Sequence, residues 1–220
     1  MPVHLRRDLD KLKRKMLSFG AAVEENAQLS IKALRDFDTA IAQRVIDRDD
    51  EINRDEVEIE EECLKILALH QPVAVDLRFV VTVLKVNSDL ERIADFSVNV
   101  SKRVRTLAKH PKVVLPRELM QIAEKAVGMV NAALDTLVDQ DAVRARGVCA
   151  ADDAVDDLQR KLYDIILEEI RKDPENAAQW MQVFSMVRYF ERMGDYATNI
   201  AEDVIYLVEG EVIRHKDQGM

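Results

Sequence analysis

The chain has 220 residues, enough for one domain or two, and its formal net charge is −9. Hydrophobic residues make up 48% and charged residues 33%, while only 6 Gly and 5 Pro occur, which favours long amphipathic helices over turn-rich sheets. The acidic balance argues against a nucleic-acid-binding protein, which would need clustered Lys and Arg. One basic cluster near the start is expected to be a solvated helix face, with docking to a partner or a membrane surface as the alternative: Arg6, Arg7, Lys11, Lys13, Arg14 and Lys15.

The chain carries no recognisable targeting or membrane-spanning segment. Residues 1–15 are charged throughout and show no signal-peptide pattern. The longest uncharged run, 176–187, falls short of the ~18–20 apolar residues that span a bilayer. Cys63 and Cys149 form no CxxC pair and lie at apolar helical positions, which indicates small buried side chains in a reducing compartment. We therefore expect a soluble, cytoplasmic protein.

The first half of the chain predicts three helices. Apolar residues recur every three or four positions over 5–37, which indicates the first helix. Asp36 or Asp38 is placed to cap a second helix, and this helix ends at the sequence HQP (70–72) because proline interrupts helical hydrogen bonding. A third helix is expected from there to about Lys109.

The second half repeats this plan after a linker candidate at 109–116, which contains two prolines. Apolar stripes predict a fourth helix over 119–137, a fifth over 148–166 and a sixth over 183–208. The fifth helix closes before an Asp-Pro pair, which favours a new helix start because aspartate caps well and proline suits the first turn.

An internal duplication relates the two halves. Residues 152–156 align with 49–53 at a shift of 103, and the sixth helix aligns with the third at a shift of 100. Three packed antiparallel helices can bury apolar stripes that isolated helices would expose. We therefore predict an all-α chain of two tandem antiparallel three-helix bundles related by internal duplication, with domains at 1–111 and 112–220.

One acidic motif appears in both halves, as DLERIADFSVN at 89–99 and YFERMGDYATN at 189–199. On a helix, Glu91, Asp95 and Asn99 would form a stripe nearly opposite the apolar core stripe. A solvated polar face is the plainest interpretation, but acids spaced four residues apart repel each other, so a face selected only for stability has no reason to keep them. Outside this motif the aligned helices share only two valine positions across 77–104.

The neighbouring helices carry complementary acids, Asp49 with Asn53 and Asp152 with Asp156. Counting residues from the turn between antiparallel helices places Asp49 opposite Asp95, and the same count in the second half places Asp152 opposite Asp195. Clusters with only oxygen donors suit Mg²⁺, Mn²⁺, Ca²⁺ or iron better than zinc. The predicted metal ligands are Asp49, Asn53, Glu91, Asp95, Asp152, Asp156, Glu191 and Asp195.

Five further polar residues accompany these ligands. Arg92 and Arg192 are expected to pair with neighbouring acids and orient them, with binding of an anion as the alternative. Asn99, Asn199 and Glu202 extend the acidic stripe. The sequence contains no ExxH motif and no GxxxxGK[ST] loop, and its four histidines lie at segment ends. No nucleophile–base pairing is recognisable, so we do not expect an enzyme.

The whole pattern resembles the PhoU family. The likeness spans essentially the entire chain and rests on 49–53, on HQPVAVDLR at 70–78, and on the two ERxxD motifs. It implies two similar three-helix bundles whose acidic motifs bind multinuclear metal clusters at the surface. Ala94 departs from the glycine usual in the first motif, and Asn53 stands where the second half has Asp156, so a weaker first metal site is expected.

The resemblance also implies a function. Such a protein would be a cytoplasmic, non-enzymatic adaptor that restrains phosphate-starvation signalling through the ATPase subunit of a phosphate ABC transporter and a phosphate-sensing membrane histidine kinase. Two alternatives stay open: an accessory protein of a different phosphate carrier, and a carboxylate-based metal-dependent hydrolase or metal store. Exposed stripes on long helices are compatible with a homodimer but do not require one.

Overall fold

A computed structural model describes residues 3–110 and 113–211. Within these ranges the chain is helical and has no strand, and the predicted duplicated all-α architecture is confirmed. The predicted domain boundary between 111 and 112 lies outside the described residues. A 3-10 turn at Pro174–Asn176 precedes the last of the seven helices in the described residues: α1 Val3–Asp36, α2 Thr39–Asp47, α3 Asp49–His70, α4 Ala74–Leu107, α5 Arg117–Asp139, α6 Ala142–Lys172 and α7 Ala177–Glu209.

The turn after the first helix of each bundle is built in the same way. Phe37 and Gln140 take positive φ angles of 50° and 53°, which reverse the chain direction after α1 and α5. Asp38 and Asp141 follow them, and each carboxylate accepts hydrogen bonds from the second and third backbone N–H groups of the next helix at 2.8–3.0 Å. Asp38, and not Asp36, is therefore the cap of the second predicted helix.

The second predicted helix is divided at Arg48 into α2 and α3. The Arg48 guanidinium forms an ion pair with Glu25 on α1 at 2.9 Å. Ala151 stands at the corresponding position of the second bundle, where α6 continues without a break. The apolar period alone could not show this break, because the buried side chains keep their spacing across it. As a result Asp49 begins α3, where the helix dipole favours a carboxylate.

The core of each bundle follows the predicted stripes, with Leu12, Phe19, Leu90 and Phe190 almost fully buried. Helix α4 is buried more extensively than one stripe predicts, because it packs on α1, α2 and α3 and also on α7. The additional row includes Asn87, whose side-chain amide donates a hydrogen bond to the Glu56 carbonyl of α3 at 2.9 Å, and three small or apolar residues, Ala94, Val98 and Ser101.

The two bundles join mainly along the antiparallel pair α4 and α7. Along this seam Lys85 forms a 3.0 Å ion pair with Asp203, and Phe96 packs against Tyr189 and Tyr196 at ring-centroid distances of 6.0 and 5.7 Å. Helix α1 also contacts α5. No helix in the described part of the chain combines the length and the apolar character needed to cross a membrane.

Candidate metal-binding clusters

The first cluster forms where the start of α3 faces the middle of α4. Burial and the charge of Asp95 raise the pKa of Asp49, and the same two causes raise the pKa of Glu91. These shifts show that acids from the two helices lie close enough to repel each other. The Oδ1 atom of Asp49 is buried and accepts no hydrogen bond from the described residues, so this cluster contains an acceptor oxygen with no donor.

The second cluster forms at the corresponding place between α6 and α7. Burial raises the pKa of Asp152 to about 6, and the charges of Asp195, Asp156 and Glu191 add to the rise. Burial and the charge of Asp195 also raise the pKa of Glu191. All four predicted ligands of this bundle therefore act on one another through space, which makes it the more concentrated of the two negative sites.

The first cluster is looser because Asn53 is exposed. Its counterpart Asp156 is half-buried, and its charge raises the pKa of Asp152, Glu191 and Asp195. A neutral amide at residue 53 removes one negative charge from the first site. The structure thus gives the two clusters different electrostatic strengths.

Two residues that the sequence reasoning missed reach these clusters. Glu56 raises the pKa of Glu91 through its charge, and Gln159 forms a side-chain hydrogen bond with Glu191 that lowers the pKa of that group. Both lie seven residues after the first acid of their helix, Asp49 or Asp152. A spacing of seven keeps residues on one helical face, and this signal could have identified them.

The two motif arginines contact the acids beside them, as expected. Arg192 Nη1 lies 2.9 Å from Asp195 Oδ2. Arg92 is placed less tightly, at 3.7 Å from Asp95 and 3.5 Å from Glu91. These contacts hold the carboxylates by charge-assisted interactions and offset part of their mutual repulsion.

The remaining predicted residues lie at the edges of the clusters. Asn99 and Asn199 are half-buried, one helical turn beyond the motif aspartates. Burial raises the pKa of the Cys149 thiol to about 11. The negative charge of Glu202 contributes to this rise, and that of Asp152 contributes more weakly, so both acids lie near the thiol. Cys149 is therefore a protonated neighbour of the second cluster.

The second motif contains a glycine with a steric role. A Cβ atom added to Gly194 would lie 3.2 Å from Oδ1 of Asp152. Because so short a contact would force the carboxylate to shift, the missing side chain lets Asp152 pack directly on the backbone of α7. Ala94 occupies the corresponding position in the first motif.

The carboxylates are not drawn together into a ligand set. Among residues 3–110 and 113–211, no three His, Cys, Asp or Glu side chains converge closely enough to hold a metal ion. A cation would have to pull the side chains inward. The residues still fit a hard cation, because their donors are oxygens, one buried oxygen of Asp49 has no donor, and positive charge would relieve the repulsion that raises their pKa values.

The first predicted site residues are thus brought together as Asp49, Glu91 and Asp95, with Asn53 apart from them. In the second set Asp152, Asp156, Glu191 and Asp195 lie near enough to influence one another's pKa values, although the described side chains do not converge into a metal-ligand set. Each bundle therefore carries a group of carboxylates between two of its helices, and the two groups are related by the duplication.

Known proteins share the duplicated arrangement of this chain and match it over nearly its whole length. The PhoU domain family matches twice, at 16–104 and 119–204, once in each bundle. The chain is 32% identical over 213 residues to the phosphate-specific transport system accessory protein PhoU homolog of Clostridium acetobutylicum, covering 96% of both chains. It is 36% identical over 211 residues to the homolog of the same name from Pseudomonas aeruginosa, covering 94% of this chain and 86% of that protein.

Solved structures are equally similar in shape. The crystal structure of PhoU from Pseudomonas aeruginosa superposes with a TM-score of 0.91 at 34% identity, covering 94% of this chain and 99% of that one. The phosphate transport system regulatory protein PhoU from Streptococcus pneumoniae gives a TM-score of 0.88 at 29% identity, with 95% and 99% covered. With the family's domain present in each bundle and relatives that match nearly end to end, the chain belongs to the PhoU family.

Proposed function

We propose that this protein is a metal-binding, non-enzymatic accessory protein of phosphate transport that regulates phosphate uptake and the response to phosphate starvation. Its relatives carry the name of phosphate-specific transport system accessory protein, and one structural neighbour is described as a regulatory protein of phosphate transport. These names support a role beside the transporter and not in the chemistry of transport itself. The cytoplasm is the compartment in which such a role would be exercised.

The metal proposal rests on one observation: in each bundle, carboxylates from two neighbouring helices lie close enough to raise one another's pKa values. In the second bundle four acids influence one another, and the pKa of Asp152 rises to about 6. Such repulsion costs stability unless a cation or a proton compensates it. We propose that Mg²⁺, Mn²⁺, Ca²⁺ or iron supplies the positive charge, held by Asp152, Asp156, Glu191 and Asp195 in the second bundle and by Asp49, Glu91 and Asp95 in the first.

The adaptor role follows from where these clusters lie. Each is partly exposed on the outside of its bundle, so a bound cation would change the charge of an accessible surface and fix the side chains around it. We propose that this surface docks on the ATPase subunit of a phosphate ABC transporter and on a phosphate-sensing histidine kinase. The described residues contain the acids for such a switch but no nucleophile–base arrangement that we recognise.

Metal content tests the first part of the proposal. Purified full-length protein is stripped with chelator, reloaded separately with the four candidate metals, and examined by elemental analysis and calorimetry. We expect the paired variant Asp152→Asn with Asp195→Asn to lose the stronger site and the pair Asp49→Asn with Asp95→Asn to lose the weaker one. Asp157→Asn, on the exposed side of α6 beside the second cluster, is the matched control. Equal metal content in all four proteins would contradict the proposed ligands.

Partner capture tests the second part. Crosslinking in phosphate-replete and phosphate-starved cells, followed by mass spectrometry, should recover the transporter ATPase and the kinase through peptides near the clusters. Recovery of a different phosphate carrier instead would support the alternative accessory role. Phosphate release from a panel of phosphate esters by metal-loaded protein, lost in Asp95→Ala and Asp195→Ala, would contradict the non-enzymatic proposal.

A further inference from the structure

A groove of about 610 Å³ opens along the seam between α4 and α7. It reaches Arg92 and Asp95 of the first motif on one side and Arg192 of the second motif on the other. The two carboxylate clusters therefore border the same groove through their arginines. None of the metal ligands proposed for the second bundle lines it.

More basic than acidic side chains line the groove, although the protein as a whole is acidic. Three arginines line it, Arg92, Arg188 and Arg192, against the single carboxylate of Asp95, whereas the whole chain has a net charge of −9. The phenols of Tyr189 and Tyr196 lie among them and add hydroxyl groups. Guanidinium groups with hydroxyl donors are the side chains that proteins use to bind phosphate oxygens.

The duplication did not produce this groove twice. At the shift of 100 residues, Arg188 and Tyr189 of the second repeat correspond to Ser88 and Asp89 of the first. The first repeat therefore has a small hydroxyl and an acid where the second has a guanidinium and a phenol. The groove is consequently a feature of the joined bundles and not a copy of the clusters, so it calls for its own explanation.

The arginines also connect the groove to the clusters. Arg192 lies 2.9 Å from Asp195 and at the same time 5.4 Å from the ring centre of Tyr196 on the groove side. Arg92 is held by Glu91 and Asp95 at 3.5 and 3.7 Å. A cation that takes the aspartate oxygens competes with these guanidinium groups, and its charge also weakens the negative field around the groove.

We propose that the groove between α4 and α7 binds a phosphate group and that cations at the two carboxylate clusters strengthen this binding by releasing Arg92 and Arg192 toward it. The second half of this inference rests on the metal sites proposed above, and the first half stands without them. Free inorganic phosphate and the phosphate of a nucleotide share the recognised chemistry. Linkage requires that phosphate tighten cation binding by the same factor.

The phosphate site is tested first on the full chain without metal. Calorimetry in phosphate-free buffer measures inorganic phosphate and AMP in parallel. We expect Arg188→Gln to weaken binding about tenfold or more, while Arg105→Gln, exposed on α4 outside the groove, leaves it unchanged. Tighter binding of AMP than of phosphate assigns the groove to a nucleotide, and equal binding assigns it to the phosphate group alone. Absence of binding by both at about 10 mM, or an unchanged Arg188→Gln variant, overturns the site.

A second set of measurements tests whether the carboxylate clusters control the phosphate affinity of the groove. Asp195→Asn releases Arg192 without any metal, so this variant should bind phosphate severalfold more tightly than the wild type. Mg²⁺ should produce a similar gain in the wild type and a smaller one in Arg192→Gln. Mg²⁺ that binds without changing phosphate affinity, together with an unchanged Asp195→Asn variant, overturns the release of arginine. Failure of Mg²⁺ to bind, with Asp195→Asn still tighter, contradicts the proposed metal function and leaves the phosphate site supported.

Discussion

Asp152 packs its carboxylate against the backbone of Gly194, where a Cβ atom would lie 3.2 Å from Oδ1. Gly194→Ala gains helix propensity of about 1 kcal/mol but pushes the carboxylate of Asp152 outward. Since only side-chain atoms are in the way, we expect the free energy of unfolding to change by less than about 1 kcal/mol. Metal affinity of the second cluster should fall several-fold, as measured by calorimetry.

The reverse substitution is the control for this effect. Ala94→Gly, at the corresponding position of the first motif, is expected to lose about 1 kcal/mol of stability because glycine is unfavourable in a helix. If Gly194→Ala and the wild type bind metal equally well, the glycine serves helix packing and not the position of Asp152.

The sequence predicted the meeting of Asp49 with Asp95, and of Asp152 with Asp195, for a simple geometric reason. Long antiparallel helices joined by a short turn place residues at equal distances from the turn side by side, and a count of residues is then a measure of position. A separate, local signal predicted Asp36 or Asp38 as the cap, because aspartate before an apolar period favours a helix start, and the structure has Asp38 in this role.

Other features could not be obtained by such counting because they depend on how the helices pack against one another. The extra buried row on α4 follows from its contacts with helices on several sides, and a single helical wheel cannot show how many neighbours a helix has. At the break between α2 and α3, Arg48 pairs with Glu25 of α1, and a periodicity within one helix cannot show such a contact between helices. The groove beside Arg188 exists only after α4 and α7 pack together, since its arginines belong to two repeats.

The caps of the two bundles should contribute comparable stability. Asp38 and Asp141 each accept two backbone hydrogen bonds at the start of α2 and α6, and replacement of such a cap by alanine costs about 1 kcal/mol. We expect Asp38→Ala and Asp141→Ala to lower the urea unfolding midpoint to a similar extent. Serine at either position should restore most of the loss, because its hydroxyl can accept the same bonds, and no restoration would contradict a capping role.

Stability should fall as the pH rises through the range in which Asp152 ionises. Its pKa is raised from 3.8 to about 6 in the folded protein, so the folded state holds this proton more tightly than the unfolded state. The resulting stabilisation is complete below about pH 4 and is lost above about pH 6. Because the side chain is only half-buried, solvent screening reduces the effect to about 1 kcal/mol.

The variant Asp152→Asn isolates this contribution. In chelator-treated samples at pH 7.5 it should be more stable than the wild type by about 1 kcal/mol, and the difference should vanish near pH 4. Urea unfolding at a series of pH values measures both. Asp164→Asn, at an exposed position of the same helix, should follow the wild-type curve. A constant difference between Asp152→Asn and the wild type across this pH range would mean that repulsion among the carboxylates is not its cause.

The ion pair between Lys85 and Asp203 links the two bundles through a buried carboxylate, since the Asp203 side chain is 3% exposed and its oxygen lies 3.0 Å from the ammonium nitrogen. Lys85→Met keeps the length of the side chain but removes the positive charge that faces this carboxylate, and such losses cost about 3 kcal/mol. Half of the lysine is exposed, so we expect about 2 kcal/mol. Lys15→Met, which removes the exposed pair with Glu58 within the first bundle, should cost clearly less than Lys85→Met. Calorimetric unfolding measures both variants, and equal losses would show that the seam does not depend on this charge.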